Sequence, residues 1–326
     1  MRVHVEHVDG SFEPDGDVLG AICFSSGPLM ADQTFCMHVP MARMDKPEPA
    51  WEVWRSGGEI TQGQYGDILY RKCEDALFGF IALPEPSFAG NLQQAAESAY
   101  RQIFELLDRH KYSHLYRFWN YIPRINDAGL GIERYQQFNI GRQDAFLAHG
   151  RMLGNAPAAC ALGTREGPLH IAFIAGRTPS LNIENPRQLS ACRYPQQYGP
   201  RSPTFSRASL MRSEEGDVLF VSGTASIVGH ETLHHNDVVM QARESMANIR
   251  AVLDEANRKL QKDAFDLSSL IYRVYIRNPS DFLPVQRELI RIAGQTSAVY
   301  LQADICRSDL LLEIEAVHAA KPARMR

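Results

Sequence analysis

The stretch QARESMANIRAVLDEA (241–256) predicts a helix around which the C-terminal part of this chain is organised. Apolar side chains recur here at spacings of three and four residues, which places them on one face of an α-helix. This face comprises Val239, Ala242, Met246, Ile249, Leu253 and Ala256. Asn236 and Asp237 are good N-cap residues, so we expect the helix to begin near Asp237.

Strands are predicted on both sides of this helix. The run DVLFVSG (217–223) before it and LIYRVYIR (270–277) after it are apolar and end at turn residues, as buried strands do. A second helix is expected over 282–293, with further strands over 297–304 and 310–318. The order β-α-β-α-β-β predicts a sheet with two helices on one face, an α/β (α+β) arrangement.

The N-terminal half carries a weaker copy of this pattern. AAESAYRQI (95–103) resembles QARESMANI (241–249), and YSHLYRFWNYIPRIND (112–127) resembles DLSSLIYRVYIRNPSD (266–281). Chance similarity between two amphipathic helices is the alternative explanation. We expect two diverged copies of one α/β unit.

We place the two copies at residues 1–155 and 156–326. Within the second copy, residues 185–208 are rich in Pro, Gly, Arg and Tyr. A long ordered loop of this composition is often functional. We therefore interpret 185–208 as an active-site loop.

Composition excludes several classes of function. The chain has 326 residues, a formal net charge of −4 and no long basic run, so it gives no indication of nucleic-acid binding. No apolar run approaches the length of a membrane span. The six cysteines form no Cys-x-x-Cys pair, and the N-terminus lacks an apolar signal segment. These features predict a cytoplasmic protein with reduced thiols.

A zinc-hydrolase pattern, His-Glu-x-x-His, occurs within HETLHH (230–235). It requires a helix that brings both imidazoles to one face, but here it precedes the expected N-cap. We therefore interpret it as a polar loop between strand and helix, and we expect no metal site.

Residues 217–318 resemble the RidA (YjgF) family. The segments that carry the resemblance are VLFVSGTAS, QARESMANIRAVLDEA and LLLEIEAVH. In that family the first glutamate of the E-I-E-A element faces the ligand pocket and is implicated in activating water, and it matches Glu313 here. The family's carboxylate-binding arginine matches Ala298. The missing arginine argues against a simple enamine or imine deaminase.

Residues 70–320 are more similar to a narrower group, the chorismatases. The similar segments are RFWNYIPRIN (117–126), GLGIERYQQFNIGRQDAF (129–146), YPxxYGPRSPxFSRA (194–208) and CRSDLLLEIEA (306–316). The resemblance implies cleavage of the enolpyruvyl ether of chorismate, with no metal or organic cofactor.

Products differ within the chorismatase group. Some members release a dihydroxycyclohexadiene carboxylate, others release 3-hydroxybenzoate, and the xanthomonadin-pathway enzymes give 3- and 4-hydroxybenzoate. A cysteine seven residues before the catalytic glutamate marks the hydroxybenzoate-forming types. Cys306 and Glu313 match this pair, so the resemblance implies pyruvate and a hydroxybenzoate, in pigment or secondary-metabolite biosynthesis.

Chorismate is a dianion, so its binding needs fixed cations, and arginine matches a carboxylate with two hydrogen bonds. The candidate arginines in the similar segments are Arg124, Arg134, Arg142, Arg201 and Arg207. A surface salt bridge is the alternative role for each. The loop arginines Arg201 and Arg207 are favoured for substrate contact.

Cleavage of a vinyl ether needs an acid that stays protonated near neutral pH. Glu313 follows three leucines, and an apolar strand would raise its pKa. Glu315 shares its face by strand alternation and is the competing candidate. Cys306 is either a buried small side chain or a group that steers the intermediate towards aromatic product.

Three tyrosines and one glycine complete the predicted site. Tyr135, Tyr194 and Tyr198 could bind carboxylates or the ring hydroxyl, or could be core aromatics. Gly223 would let the backbone approach the ligand, or is a plain turn glycine.

Three other functions remain alternatives to a hydroxybenzoate-forming chorismatase. They are a chorismate hydrolase that releases the diol, a RidA-like enamine or imine deaminase, and a ligand-binding module without catalysis. Chorismate is the only expected partner. The oligomeric state, monomer or trimer, stays open, because RidA proteins are trimers with sites between subunits.

Overall fold

The computed structural model describes residues 3–27, 35–212 and 216–318. The chain begins with four strands: β1 (Val3–Asp9), β2 (Val18–Ser25), β3 (Cys36–Pro40) and β4 (Ala50–Ser56). They form a separate sheet in the order β1-β4-β2-β3. The predicted first copy, 1–155, includes this segment, but β1–β4 form a sheet of their own and are not part of the first α/β unit.

The first α/β unit follows. Its elements are β5 (Thr61–Tyr65), β6 (Ile68–Lys72), β7 (Ala76–Leu83), α1 (Leu92–His110), β8 (His114–Pro123), β9 (Ala128–Gly129), β10 (Ile132–Glu133), α2 (Arg134–Ala148), β11 (Ala158–Thr164) and β12 (Leu169–Gly176). The sheet order is β11-β8-β12-β7-β6-β5, with β8 and β11 parallel and the other pairs antiparallel. Strands β9 and β10 form a small separate hairpin.

The second unit completes the described chain. Its elements are β13 (Ser180–Ile183), β14 (Ala208–Met211), β15 (Val218–Thr224), β16 (Ile227–Val228), β17 (Glu231–Thr232), α3 (Val238–Leu260), β18 (Ile271–Ile276), α4 (Phe282–Ala293), β19 (Ala298–Gln302), β20 (Asp304–Ile305) and β21 (Leu312–His318). The sheet order is β13-β14-β15-β21-β18-β19, with β18 and β19 parallel. Strand β20 crosses to the first unit and pairs with β11. Single turns of 3₁₀ helix connect the elements at Glu85–Phe88, Leu153–Asn155, Ala191–Arg193, Gln196–Tyr198, Leu267–Ser269 and Pro279–Asp281.

The two units share one topology, which confirms the predicted fold class and its two copies. In each unit, three strands of the main sheet precede the long helix, and a parallel strand pair flanks the second helix. Each long helix begins at an Asx N-cap, because Asn91 and Asp237 accept the N–H three residues on. The predicted start near Asp237 is therefore confirmed. Each helix ends at a left-handed residue, Lys111 or Gln261.

The division between the units differs from the predicted one at 155/156. Strands β11 and β12, which end at Gly176, pair with β8 and so belong to the first sheet. The sequence analysis missed them because it missed α2, which leads into β11. Helix α2 buries polar side chains, among them Gln137, Asn139 and Arg142, and so shows no apolar stripe. We propose that the second unit begins after Gly176.

Inner faces of the two sheets pack against each other, and the helices lie outside. Side chains of both sheets and of β1–β4 meet in one central core that contains Trp54, Trp119 and Phe220. Tyr121 and Tyr275, which match in the two copies, are hydrogen-bonded across this interface with 3.1 Å between their hydroxyl oxygens. No helix within the described ranges is long and apolar enough to cross a membrane.

Helices α1 and α2 cross at a glycine, which generates the first prediction. A Cβ added to Gly141 would overlap the main-chain oxygen of Gln93. We expect Gly141→Ala to lower the free energy of unfolding by about 1–3 kcal/mol, because overpacking outweighs the better helix propensity of alanine. Urea unfolding measures this change. The control is Gly154→Ala, where a Cβ meets nothing within 4 Å, and equal stability of the two variants would contradict the prediction.

Candidate active site

A cavity of about 260 Å³ lies between the two units. The first unit contributes residues of α2 and β11 to its wall. The second unit contributes residues of β15 and β21 and of the loop 185–208. Both copies of the repeat are therefore needed to enclose this space.

Eight of the twelve candidate site residues line the cavity. They are Tyr135, Arg142, Tyr194, Tyr198, Arg207, Gly223, Cys306 and Glu313. The structure therefore brings together residues that lie up to 178 positions apart in the sequence, from Tyr135 to Glu313.

Glu313 lies on the inward face of β21, where its neighbours Leu312 and Ile314 face the helices instead. Its side chain is buried, with 4% of the residue exposed. Burial raises the pKa of the Glu313 carboxyl to about 8, and the negative charge of Glu315 adds to this effect. Glu313 is therefore protonated at neutral pH, as the apolar sequence around it predicted.

Gly223 makes room for this carboxyl group. A Cβ at position 223 would overlap the carboxylate of Glu313, and it would lie 3.2 Å from Cβ of Cys160. Gly223 therefore acts as more than a turn residue, since it lets the acid of β21 lie directly over the main chain of β15.

Glu315 has a different environment, although it lies on the same face of β21. Its carboxylate pairs with Arg117 and Arg273 and accepts a hydrogen bond from the Tyr275 hydroxyl at 2.7 Å. Glu315 is not part of the cavity wall. Of the two competing glutamates, only Glu313 can therefore reach a ligand in the cavity.

Arg142 and Arg207 are buried arginines with unused hydrogen-bonding capacity. Arg142 donates from Nη2 to Oδ1 of Asn139 at 2.7 Å, and Arg207 donates from Nη2 to the Tyr194 hydroxyl at 2.9 Å. The Nε atom of each is buried without an acceptor. Buried donors normally have partners, so these two guanidinium groups are suited to an anionic ligand.

Arg307 is a third arginine in the cavity wall, half-buried, and it was not predicted from the sequence. Its guanidinium lies 3.8 Å from the ring centroid of Tyr198, and its Nη2 atom has no hydrogen-bond partner. The sequence did indicate Arg307, because it directly follows Cys306 in the segment CRSDLLLEIEA. None of the three arginines has a carboxylate partner among the residues that the structure describes.

Three of the five candidate arginines lie outside the cavity. Arg201 has a half-exposed side chain that faces Asp144 at 3.7 Å, and Arg124 has a similarly exposed side chain paired with Glu85 at 2.9 Å. Arg134, also a candidate, is buried but pairs with the same Glu85 at 2.8 Å. Each has the structural salt bridge that was the alternative to substrate contact.

Two thiols flank Glu313. The sulfur of Cys306 lies 4.0 Å from Oε2 of Glu313, and burial raises the pKa of the Cys306 thiol to about 12. Cys160 of β11, which the sequence analysis did not select, also lines the cavity, and burial raises the pKa of its thiol. Both thiols stay protonated at neutral pH and are poor nucleophiles.

Two of the cavity tyrosines are tied to their surroundings. The Tyr194 hydroxyl accepts from Arg207, and the Tyr198 hydroxyl lies 3.3 Å from Nδ1 of His230. Burial raises the pKa of the Tyr135 hydroxyl. Tyr135 therefore stays protonated and can donate a hydrogen bond into the cavity.

HETLHH lies in a hairpin and turn, not on a helix. Residues Glu231–Thr232 form β17, His234 has a left-handed backbone with φ of 59°, and α3 begins only at Val238. His230 contacts Tyr198, whereas His234 lies 3.5 Å from Glu244. Across the described ranges, no group of three His, Cys, Asp or Glu side chains could hold a metal ion.

The cavity thus combines three guanidinium groups without carboxylate partners and the neutral carboxyl group of Glu313, while Glu133 and Asp309 also lie in its wall. Partly desolvated arginines favour ligands that carry carboxylate groups. A carboxyl group with a pKa near 8 can donate a proton at neutral pH and accept it again. The arrangement fits acid catalysis on a small, multiply anionic molecule.

Glu313 also generates a stability prediction. Its pKa lies above the ordinary value of 4.5, so the folded state binds a proton that the unfolded state releases. Relative to Glu313→Gln, the free energy of unfolding should fall by about 1.4 kcal/mol per pH unit between about pH 5 and pH 8. Urea unfolding across this range measures it, with Glu231→Gln as a control at an exposed carboxyl. A pH-independent difference between wild type and Glu313→Gln would contradict the prediction.

Comparison with known proteins agrees with this geometry. Residues 52–175 match a family model described as chorismatase FkbO/Hyg5-like, N-terminal. A 3-hydroxybenzoate synthase from Streptomyces hygroscopicus is 40% identical over 83% of this chain and 82% of its own length. A chorismatase from Streptomyces rapamycinicus is 38% identical over 82% of each chain. A chorismatase crystal structure superposes with a TM-score of 0.89 at 30% identity and covers 97% of this chain and 98% of that chain. The chain therefore belongs to the chorismatase family.

Proposed function

We propose that this chain cleaves the enolpyruvyl ether of chorismate and releases pyruvate and a hydroxybenzoate. The observation that carries the proposal is the protonated carboxyl group of Glu313 in a cavity with three arginines that lack carboxylate partners. The names of the relatives support the same substrate, since they are a 3-hydroxybenzoate synthase and chorismatases.

Binding of chorismate is assigned to the three arginines of the cavity wall. The ring carboxylate and the enolpyruvyl carboxylate need two fixed cations, and Arg142, Arg207 and Arg307 offer three. Their unpaired N–H groups would gain acceptors from the substrate, which removes the cost of leaving them buried without partners. Tyr198, which lies under the Arg307 guanidinium, would hold that arginine in place.

Proton transfer is assigned to Glu313. It donates its proton to the terminal methylene carbon of the enolpyruvyl group, which becomes a methyl group. The electron pair of the double bond forms the new C–H bond and leaves an oxocarbenium ion on the ether carbon. The carboxylate of Glu313 that results is stabilised by the positive charges of Arg117 and Arg207.

The fate of the oxocarbenium ion decides the product. Capture by the ring hydroxyl forms a cyclic ketal and releases the hydroxyl proton. Loss of a ring proton and cleavage of one ring C–O bond then make the ring aromatic, and the hemiketal that remains breaks down to pyruvate and a hydroxybenzoate. The carboxylate of Glu313 takes back one of the two released protons and the phenolate oxygen takes the other, so the products together contain every atom of chorismate. Capture by water gives pyruvate and the non-aromatic diol instead. We propose that Cys306, beside Glu313 at 4.0 Å, limits the water next to the acid and favours the aromatic product.

The alternatives from the sequence make different predictions. A diol-forming hydrolase would use the same acid with an ordered water. For a deaminase, the position of the missing arginine, Ala298, lies in β19 and is not part of the cavity wall. A non-catalytic binding module would not need an acid with a raised pKa. These differences make the chorismate reaction the first experiment.

A single chain supplies both walls of the proposed site. We therefore infer that one copy is enough for binding and catalysis, whichever of the two predicted oligomeric states, monomer or trimer, occurs. Cytoplasmic location stays a prediction from the sequence, and the six free cysteines are compatible with a reducing compartment.

The reaction itself is the third prediction. Purified, EDTA-treated protein should convert chorismate to pyruvate and 3-hydroxybenzoate, with or without 4-hydroxybenzoate, as read by chromatography and mass spectrometry. Glu313→Gln should lower kcat/KM by about 10²–10⁴-fold. In the wild type, kcat/KM should fall above about pH 8, where Glu313 loses its proton.

Each other result has a defined meaning. Pyruvate with the non-aromatic diol would keep ether cleavage and contradict the role proposed for Cys306. Chorismate left intact by the folded protein, with or without added zinc, would contradict the proposed function. Full activity of Glu313→Gln would contradict the assignment of the acid.

Substrate binding gives the fourth prediction. Arg142→Gln and Arg207→Gln should each raise KM by about 10–100-fold, because a hydrogen bond to a charged group contributes about 1.5–3 kcal/mol. Steady-state kinetics at saturating and limiting chorismate separates KM from kcat. The matched control is Arg201→Gln in the same loop, since that side chain is half-exposed and faces Asp144. A rise in KM for Arg201→Gln as large as for Arg207→Gln would contradict the assignment.

A further inference from the structure

A chain of buried charges lies directly behind Glu313. Glu315, two residues further along β21, is 3% exposed. Its carboxylate pairs with Arg117 of β8 and with Arg273 of β18, where Nη1 lies 2.9 Å from Oε1. Arg273 pairs in turn with Glu52 of β4, which is also buried. The chain of two acids and two arginines thus joins all three large sheets.

Arg117 also connects this chain to the floor of the site. Its Nη1 donates to the carbonyl oxygen of Val221 at 2.9 Å. Val221 lies in β15, two residues before Gly223, over which the Glu313 carboxyl group lies. A single guanidinium therefore fixes both the strand that carries the acid and the strand beneath it.

Packing alone does not account for four buried charges at this place. Large apolar side chains such as Trp54, Trp119 and Phe220 already fill the surrounding core. Desolvating charged groups is costly, and apolar replacements of similar volume are often equally stable or more stable. A charge fixed beside the proton donor, in contrast, has a direct electrostatic effect on it, because little water screens it there.

Other groups also face Glu313, and each comes from a different part of the fold. The loop before β14 contributes the cation Arg207, and β8 contributes Arg117. The other titratable groups in the cavity wall are Tyr135 and Arg142 of α2, Cys160 of β11, Cys306 after β20, and Glu133, Tyr194, Tyr198, Arg307 and Asp309. Among these neighbours, Glu315 is the carboxylate that lies behind Glu313, outside the cavity and away from the substrate.

We propose that Glu315 is a positioning residue whose negative charge, fixed by Arg117 and Arg273, keeps Glu313 in its proton-donating form. Arg117 opposes this effect in part, so that Glu313 can still release its proton near neutral pH. The inference rests on the proposed cleavage of chorismate, in which Glu313 is the acid. The charge effects agree with this, since Glu315 raises the pKa of Glu313 and Arg117 lowers it.

The experiment compares pH profiles of kcat/KM for variants that each remove one charge. Glu315→Gln should move the alkaline limb of the profile to lower pH by about 1 unit, because a nearby like charge is removed. Arg117→Gln should move the same limb to higher pH. The matched control is Glu52→Gln, which also leaves a buried arginine without one carboxylate but lies on the far side of Arg273. Glu52→Gln should lower the melting temperature and leave the alkaline limb at the same pH as in the wild type.

If Glu315 and Arg117 had only a structural role, their variants would lower stability and kcat without moving the alkaline limb. Shifts of the limb in opposite directions in these two variants therefore support the electrostatic role. An unchanged limb in Glu315→Gln, or equal shifts in Glu315→Gln and Glu52→Gln, would overturn the inference. If Glu315→Gln does not fold, Arg117→Gln decides, and an unshifted or lowered limb in that variant overturns the inference.

A measurement without substrate separates this inference from the proposed function. The infrared band of a protonated carboxyl group, assigned by its loss in Glu313→Gln, can be titrated directly in the wild type and in each variant. A shift of this titration in Glu315→Gln supports the electrostatic effect even if chorismate is not cleaved. An unshifted titration in an enzyme that does cleave chorismate overturns the inference and keeps the proposed function.

Discussion

Face-to-face packing of the two sheets is the constraint on which the rest of the structure depends. Strand β21 has helices on one side and the first sheet on the other, so both faces are inaccessible to water. A glutamate on the inward face must therefore either find buried cations or stay neutral. Glu315 pairs with buried arginines and Glu313 stays neutral, although they are neighbours on one strand face.

Position along β21 decides whether each glutamate is ion-paired or neutral. At Glu315 the two sheets are in contact, and arginines from β8 and β18 reach it. At Glu313 the sheets separate around the cavity, Gly223 removes the side chain that would fill the gap, and the acid faces the ligand space without an ion pair. The same sheet–sheet interface thus produces a structural ion pair and a proton donor two residues apart.

The sequence predicted what depends on periodicity and local chemistry. Helix α3 was predictable from its apolar stripe, and Glu313 from the leucines before it together with the family resemblance. Helix α2 was missed because its buried face carries Asn139 and Arg142, which look like solvent-exposed residues. Arg201 and Arg207 are the same residue type in the same loop, so the sequence does not distinguish them. The fold shows that Arg207 lines the cavity and that Arg201 faces Asp144.

The N-terminal sheet lies against the first unit near the position that matches Glu313 of the second unit. In the register of the two sheets, Tyr275 pairs with Glu313 and its counterpart Tyr121 pairs with His170. His170 therefore occupies the position in the first unit that the acid occupies in the second. It is 4% exposed, and burial together with the nearby His38 of β3 lowers its pKa to about 4. The N-terminal sheet thus covers the position where a symmetric assembly would have a second site, and the two copies are free to differ: one supplies the acid, and the other supplies the wall that encloses it.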